Sequence, residues 1–149
     1  MEENTMLNTN FGIEIEFTGI TRKQAAEKAA EYLGGRVEYL GTYYDTYGVK
    51  TPDGRTWKFT YDGSIRCEKK NGSRKEHADS EHSVEMVSPI LTYANDMETL
   101  QELIRQLRHI GGFANETCGI HIHCDGAQHT PQSIKNLLSI VYSKNDLLY

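Results

Sequence analysis

A chain of 149 residues, 38% of them hydrophobic, is long enough for one domain with a real core. Its formal net charge of −5 speaks against a nucleic-acid surface, which needs clustered excess Lys and Arg. No run of about 18 apolar residues is present to cross a membrane, and the start, MEENTMLNTN, has neither the basic nor the apolar region of a signal peptide. Cys67, Cys118 and Cys124 are odd in number and form no CxxC pair, which fits reduced thiols in a cytoplasmic protein better than a disulfide scaffold.

Residues 1–9 are polar and read as a frayed, flexible start, leaving residues 10–149 as one domain. Phe11-Gly12-Ile13-Glu14-Ile15-Glu16-Phe17 alternates with the period of a strand. Phe11, Ile13, Ile15 and Phe17 therefore share one face, and Gly12, Glu14 and Glu16 the other. Thr21 with Gln24 is a capping box that opens a helix with Ala25, Ala26, Ala29, Ala30 and Leu33 as its buried stripe, closed by Gly34-Gly35. A short strand is expected from Val37 to Leu40. Residues 43–50 and 55–61 flank Pro52-Asp53-Gly54 and read as a hairpin, with Trp57, Phe59 and Tyr61 on one face and Lys58, Thr60 and Asp62 on the other.

The polar, aperiodic stretch 67–83 reads as a mobile loop. Ser83 to Ser88 is a further strand, stopped by Pro89, with Glu85 and Val87 opposite in direction to Val84 and Met86. Asn95 with Glu98 is expected to cap a helix bearing Leu100, Leu103, Ile104, Leu107 and Ile110, ended by Gly111-Gly112. Residues 118–124, CGIHIHC, form the last strand. Thr130-Pro131 opens a third helix with Ile134, Leu137, Leu138 and Val141 on one side. The order β-α-β-β-β-β-α-β-α favours an α+β fold, a mostly antiparallel sheet with helices packed on one face and a polar concave face left open.

Chemistry concentrates on that open face. Glu14 and Glu16 point the same way, and two adjacent carboxylates attract a hard cation such as Mg²⁺ or Mn²⁺; taken alone they read more readily as an exposed strand face with solvated acids. His121 and His123 share a face in the same manner and suit metal binding, proton transfer or a phosphate, against the alternative of two ordinary hydrogen-bonded histidines. Glu85 is an acid on an otherwise apolar strand. Lys58 and Asp62 are four apart on one side of a strand, where a simple ion pair is the plain alternative, and Asp62-Gly63-Ser64 also reads as a turn. No HExxH motif is present, which speaks against a zinc protease.

Four blocks then occur in order: FGIEIEF at 11–17, Trp57-Lys58 leading to Asp62-Gly63-Ser64-Ile65, Val84-Glu85-Met86-Val87-Ser88-Pro89, and Cys118-Gly119-Ile120-His121-Ile122-His123. In these blocks, over roughly residues 10–145 by a single-sequence reading, the chain resembles the amidoligase family of carboxylate–amine ligases, related in fold to glutamine synthetase and glutamate–cysteine ligase. The resemblance implies an ATP-dependent ligase that forms an amide through an acyl phosphate, with Mg²⁺ or Mn²⁺ on the phosphates and a carboxylate and an amine, small-molecule or peptide, as substrates. Carried over by position, Glu14, Glu16 and Glu85 are expected metal ligands, and His121, with His123, is expected to hold metal or the nucleotide phosphates. Asp62 and Ser64 are expected at the substrate, and Lys58 supplies charge at the mouth. The family is expected to run on past the HxH strand with arginine-bearing elements, whereas this chain stops at Tyr149 inside a helical pattern, as a truncated or minimal version. A metal-dependent hydrolase and a non-catalytic binding module are the competing readings.

Overall fold

The computed structural model describes residues 5–127 and 129–148. Residues 1–4, which carry part of the expected flexible start, lie outside the described residues; Thr5–Asn8 form a 3₁₀ turn. The elements that follow are β1 (Asn10–Phe17), α1 (Arg22–Leu33), β2 (Arg36–Tyr39), β3 (Tyr47–Lys50), β4 (Thr56–Thr60), β5 (Glu68–Asn71), β6 (Arg74–His77), β7 (Val84–Val87), β8 (Leu91–Thr92), α2 (Tyr93–His109), β9 (Ile120–Cys124), α3 (Pro131–Ser143) and α4 (Asn145–Leu148).

The main sheet runs β2-β3-β4-β7-β1-β8, with β9 also paired to β1, and every ladder is antiparallel. Strand β1 is therefore its hub: β7 and β8 follow one another along one edge and β9 runs along the other. Between β7 and β8 the register slips by one residue, from Glu14 opposite Val87 to Phe11 opposite Leu91, which is a β-bulge over Ser88-Pro89-Ile90. Proline is tolerated there because the ladder is already interrupted. Ser88 repairs the gap: its Oγ accepts from the Ile13 N–H at 2.9 Å and its own N–H donates to the Ile13 carbonyl.

One side of the sheet carries the core. The alanine stripe of α1 (Ala25, Ala26, Ala29, Ala30) and Leu100, Leu103 and Leu107 of α2 lie against Phe17, Val49, Trp57, Phe59, Val84, Met86 and Leu91. Small alanine side chains let α1 approach the strands closely, and the large side chains of β4 and β7 fill the space beneath. The capping box at Thr21 and Gln24 is present, as is the left-handed Gly34 that ends α1. The Pro52-Asp53-Gly54 turn joins β3 and β4 as expected from the sequence, with Gly54 at φ +83°.

Three sequence expectations are corrected. The stretch 67–83 is not an aperiodic loop: β5 and β6 form a hairpin about Gly72-Ser73, with Gly72 at φ +61°, and Ser80–His82 add a 3₁₀ turn. Its strands are polar and mostly charged, so no hydrophobic alternation announces them, yet Lys69 faces Glu76 and Gly72-Ser73 supplies the two-residue turn. The hairpin is tied down by Thr18, whose Oγ1 donates to the Glu68 carbonyl and accepts from the Glu68 N–H. Helix α2 begins at Tyr93 rather than behind an Asn95–Glu98 box: Thr92 is its N-cap without a side-chain cap bond, and Asp96 instead accepts from the Thr92 N–H at 2.8 Å. Finally, α3 has the expected Thr130 cap but leaves Ile134, Leu137, Leu138 and Val141 exposed, so among the described residues the helical part of the core comes from α1 and α2.

Candidate functional site

Register determines which side chains share the face away from the helices. Glu14 stands opposite Val87 on β7 and His121 on β9; Glu16 stands opposite Glu85; Gly12 stands opposite His123. One strand further, Lys58 faces Val87 and Thr60 faces Glu85. Residues directly opposite in an antiparallel pair point to the same side. The two carboxylates of β1, the acid of β7 and the two histidines of β9 therefore converge, which strand parity alone does not establish.

The contacts bear this out. Glu14 Oε2 lies 3.2 Å from His121 Nδ1 and Glu14 Oε1 lies 3.3 Å from His123 Nε2, so one carboxylate is bracketed by both imidazoles. A β-carbon at Gly12 would sit in ordinary contact with the Cβ of His123, 3.9 Å away. Glu16 is buried, and its Oε2 accepts the Gly119 N–H at 2.7 Å while its own N–H donates to the Gly119 carbonyl at 3.0 Å.

Two groups of ligand atoms result. Glu14, Glu85 and His121 each offer one atom within 4.8 Å of the others, and Glu16, Asp62 and Glu85 do the same. Glu85 belongs to both groups. Its pKa is raised, first by burial and then by the nearby charges of Glu14, Asp62 and Glu16. For Glu14 burial also acts upward, but hydrogen bonds to His123 and His121, together with their charge, bring its pKa below the ordinary carboxylate value. The face thus concentrates negative charge and holds one of its acids against both burial and repulsion.

The chain also carries a sequence-wide likeness. A family model described as "putative amidoligase enzyme" matches residues 7–149. The chain belongs to the amidoligase family. No curated protein matches it. Family membership supports an amide-forming ligase.

Of the residues singled out from the sequence, Glu14, Glu16, Glu85, Asp62, His121 and His123 meet in this amidoligase as described. Lys58 lies on the same face but is exposed and has no ion-pair partner among the described residues; β4 ends at Thr60, and no pair forms with Asp62. Ser64 enters only through its backbone, donating its N–H to Asp62 Oδ1 at 2.6 Å in a turn. Sequence reasoning passed over three supporting residues. Gly119 anchors Glu16. Ser83, fully buried, bonds both backbone groups of Asp62. Arg22, 3% exposed, pairs with Asp45 and donates to the Ser80 and Ser83 carbonyls at 2.6 and 2.8 Å. Only Arg22 carried a signal, a cation placed on the first turn of an alanine-faced helix.

Proposed function

We propose that this amidoligase is an ATP-dependent carboxylate–amine ligase working through an acyl phosphate, with two divalent cations held along the β7–β1–β9 face. The observation that carries this reading is the sharing of Glu85 between the Glu14–Glu85–His121 and Glu16–Asp62–Glu85 groups. The donors are carboxylate oxygens with one imidazole, a set that fits Mg²⁺ or Mn²⁺ rather than a soft thiophilic metal. Cations held there by Glu14, Glu16, Asp62, Glu85 and His121 would supply positive charge to transferred phosphate oxygens.

The residues of the chain then divide the work. Glu85 draws the two groups together, and Glu14 and Glu16 supply the flanking carboxylates. His123 keeps Glu14 ionised and oriented through its Nε2 contact at 3.3 Å. His121 stands where it serves either the cation or a phosphate oxygen. Lys58, exposed on the same face, adds positive charge for a phosphate tail. Asp62, its carboxylate accepting the Ser64 N–H, completes the second cation group with Glu16 and Glu85. The substrates in this reading are a small-molecule or peptide carboxylate and an amine.

Calorimetric titration with Mg·ATP tests the reading. Saturable binding, weakened at least tenfold by Glu14→Ala and by Glu85→Ala, is the expected result. Absence of nucleotide binding would remove the ligase reading, and turnover of an amide or phosphate ester without nucleotide would replace it with hydrolysis.

A further inference from the structure

The geometry points to Ser83 as a positioning residue that sets the Asp62 carboxylate within the Glu16–Asp62–Glu85 group. This rests on the metal-site reading above. Asp62 lies beyond the end of β4, in a turn, and owes its place to few contacts. Two of them come from one side chain: Ser83 Oγ donates to the Asp62 carbonyl at 2.6 Å and accepts the Asp62 N–H at 3.0 Å. Gripping a residue by both backbone groups fixes the direction in which its side chain leaves the chain. The carboxylate is then oriented by the Ser64 N–H on Oδ1.

Ser83 is itself well held. It is fully buried, and its carbonyl accepts from Arg22 Nη1 at 2.8 Å, with the same guanidinium nitrogen on the Ser80 carbonyl. It also immediately precedes β7, two residues before Glu85. One hydroxyl therefore couples the strand that carries Glu85 to the turn that carries Asp62, and the relative placement of two of the three acids passes through it. Partners of this kind, one layer behind the ligands, alter metal affinity roughly 10- to 100-fold when removed. Serine to alanine removes one atom from a packed site, so the loss is of direction rather than of volume.

The test is a Mn²⁺ titration of the full chain followed by electron paramagnetic resonance, comparing wild type, Ser83→Ala and Asp62→Asn. Two bound equivalents are expected in wild type. Asp62→Asn should weaken one of them, and Ser83→Ala should weaken the same one by roughly tenfold or more while the other equivalent stays. Ser83→Cys, a weaker hydrogen-bonding group of similar size, should give an intermediate loss and serves if the alanine variant does not fold. If Asp62→Asn weakens one equivalent and Ser83→Ala weakens none, the positioning role is wrong and the metal reading stands. Equal weakening of both equivalents by Ser83→Ala would mark a general structural role and overturn the inference. Unchanged binding in Asp62→Asn would remove Asp62 from the metal site, and the inference with it.

Discussion

Replacing Glu85 with Gln should strengthen the metal-free fold and abolish its response to metal. Glu85 shares its neighbourhood with Glu14, Glu16 and Asp62, with ligand oxygens within 4.8 Å of one another in each group. Two full charges at that distance repel by about 3 kcal/mol at an effective dielectric near 20. Partial protonation and solvent screening reduce the sum, so a net gain of about 1–2 kcal/mol is expected for the neutral variant. In a chain of this length that raises the unfolding midpoint by about 3–6 °C. Burial and the three acids raise the folded-state pKa of Glu85 above its ordinary 4.5. Its protonation thus favours the fold below about 4.5, and that contribution is lost as pH climbs through the raised folded value. The gain from Glu85→Gln should accordingly shrink when the comparison is made at pH 4 instead of pH 7. The assay is thermal and urea unfolding of both chains in chelator and in excess Mg²⁺. Wild type should gain about 2.7 kcal/mol for each cation bound at a concentration 100 times its dissociation constant, and the variant almost nothing. A chelated Glu85→Gln chain less stable than wild type, together with no response of wild type to Mg²⁺, would refute the reasoning.

Other expectations concern the scaffold. The Asp53 carboxylate accepts from Thr51, from the Arg55 N–H and from the Arg55 guanidinium, which lowers its pKa to about 2. Its contribution is present above the ordinary 3.8 and lost as pH falls toward 2, so Asp53→Asn should flatten the acid limb of a stability–pH curve. Arg55 also bonds Asp96 at 2.8 Å, linking the β3–β4 turn to the start of α2, and Arg55→Ala should cost about 1–3 kcal/mol in urea unfolding. Leu103→Ala, at a fully buried site between α2 and the sheet, should cost about 2–5 kcal/mol by the same measurement. Burial pushes the Cys67 and Cys118 thiols up, while Cys124 is exposed, so mass spectrometry after brief alkylation should find Cys124 modified first.

Local chemistry made much of this legible in the sequence. Alternation at 11–17 set the two faces of β1, the Thr21–Gln24 box and Gly34 bounded α1, and Thr130-Pro131 opened α3. What pairs with what was not local. Glu14 meets His121 across 107 positions of sequence and Glu16 meets Gly119 across 103, through a register that no window of residues contains. The β5–β6 hairpin hid because its strands bury almost nothing, so the hydrophobic signal that reveals strands was missing. The stripe on α3 was visible as a pattern, but the pattern says only which face is apolar; in the structure that face remains exposed. Ser83 was invisible for a different reason. A buried serine that bonds a distant backbone looks, in sequence, like any serine at a strand edge.

The most direct test of the metal face is an anomalous difference map from crystals grown with Mn²⁺. Two peaks are expected, one among Glu14, Glu85 and His121 and one among Glu16, Asp62 and Glu85, with Glu85 touching both. A map with fully occupied Mn²⁺ elsewhere and none on this face would contradict the account.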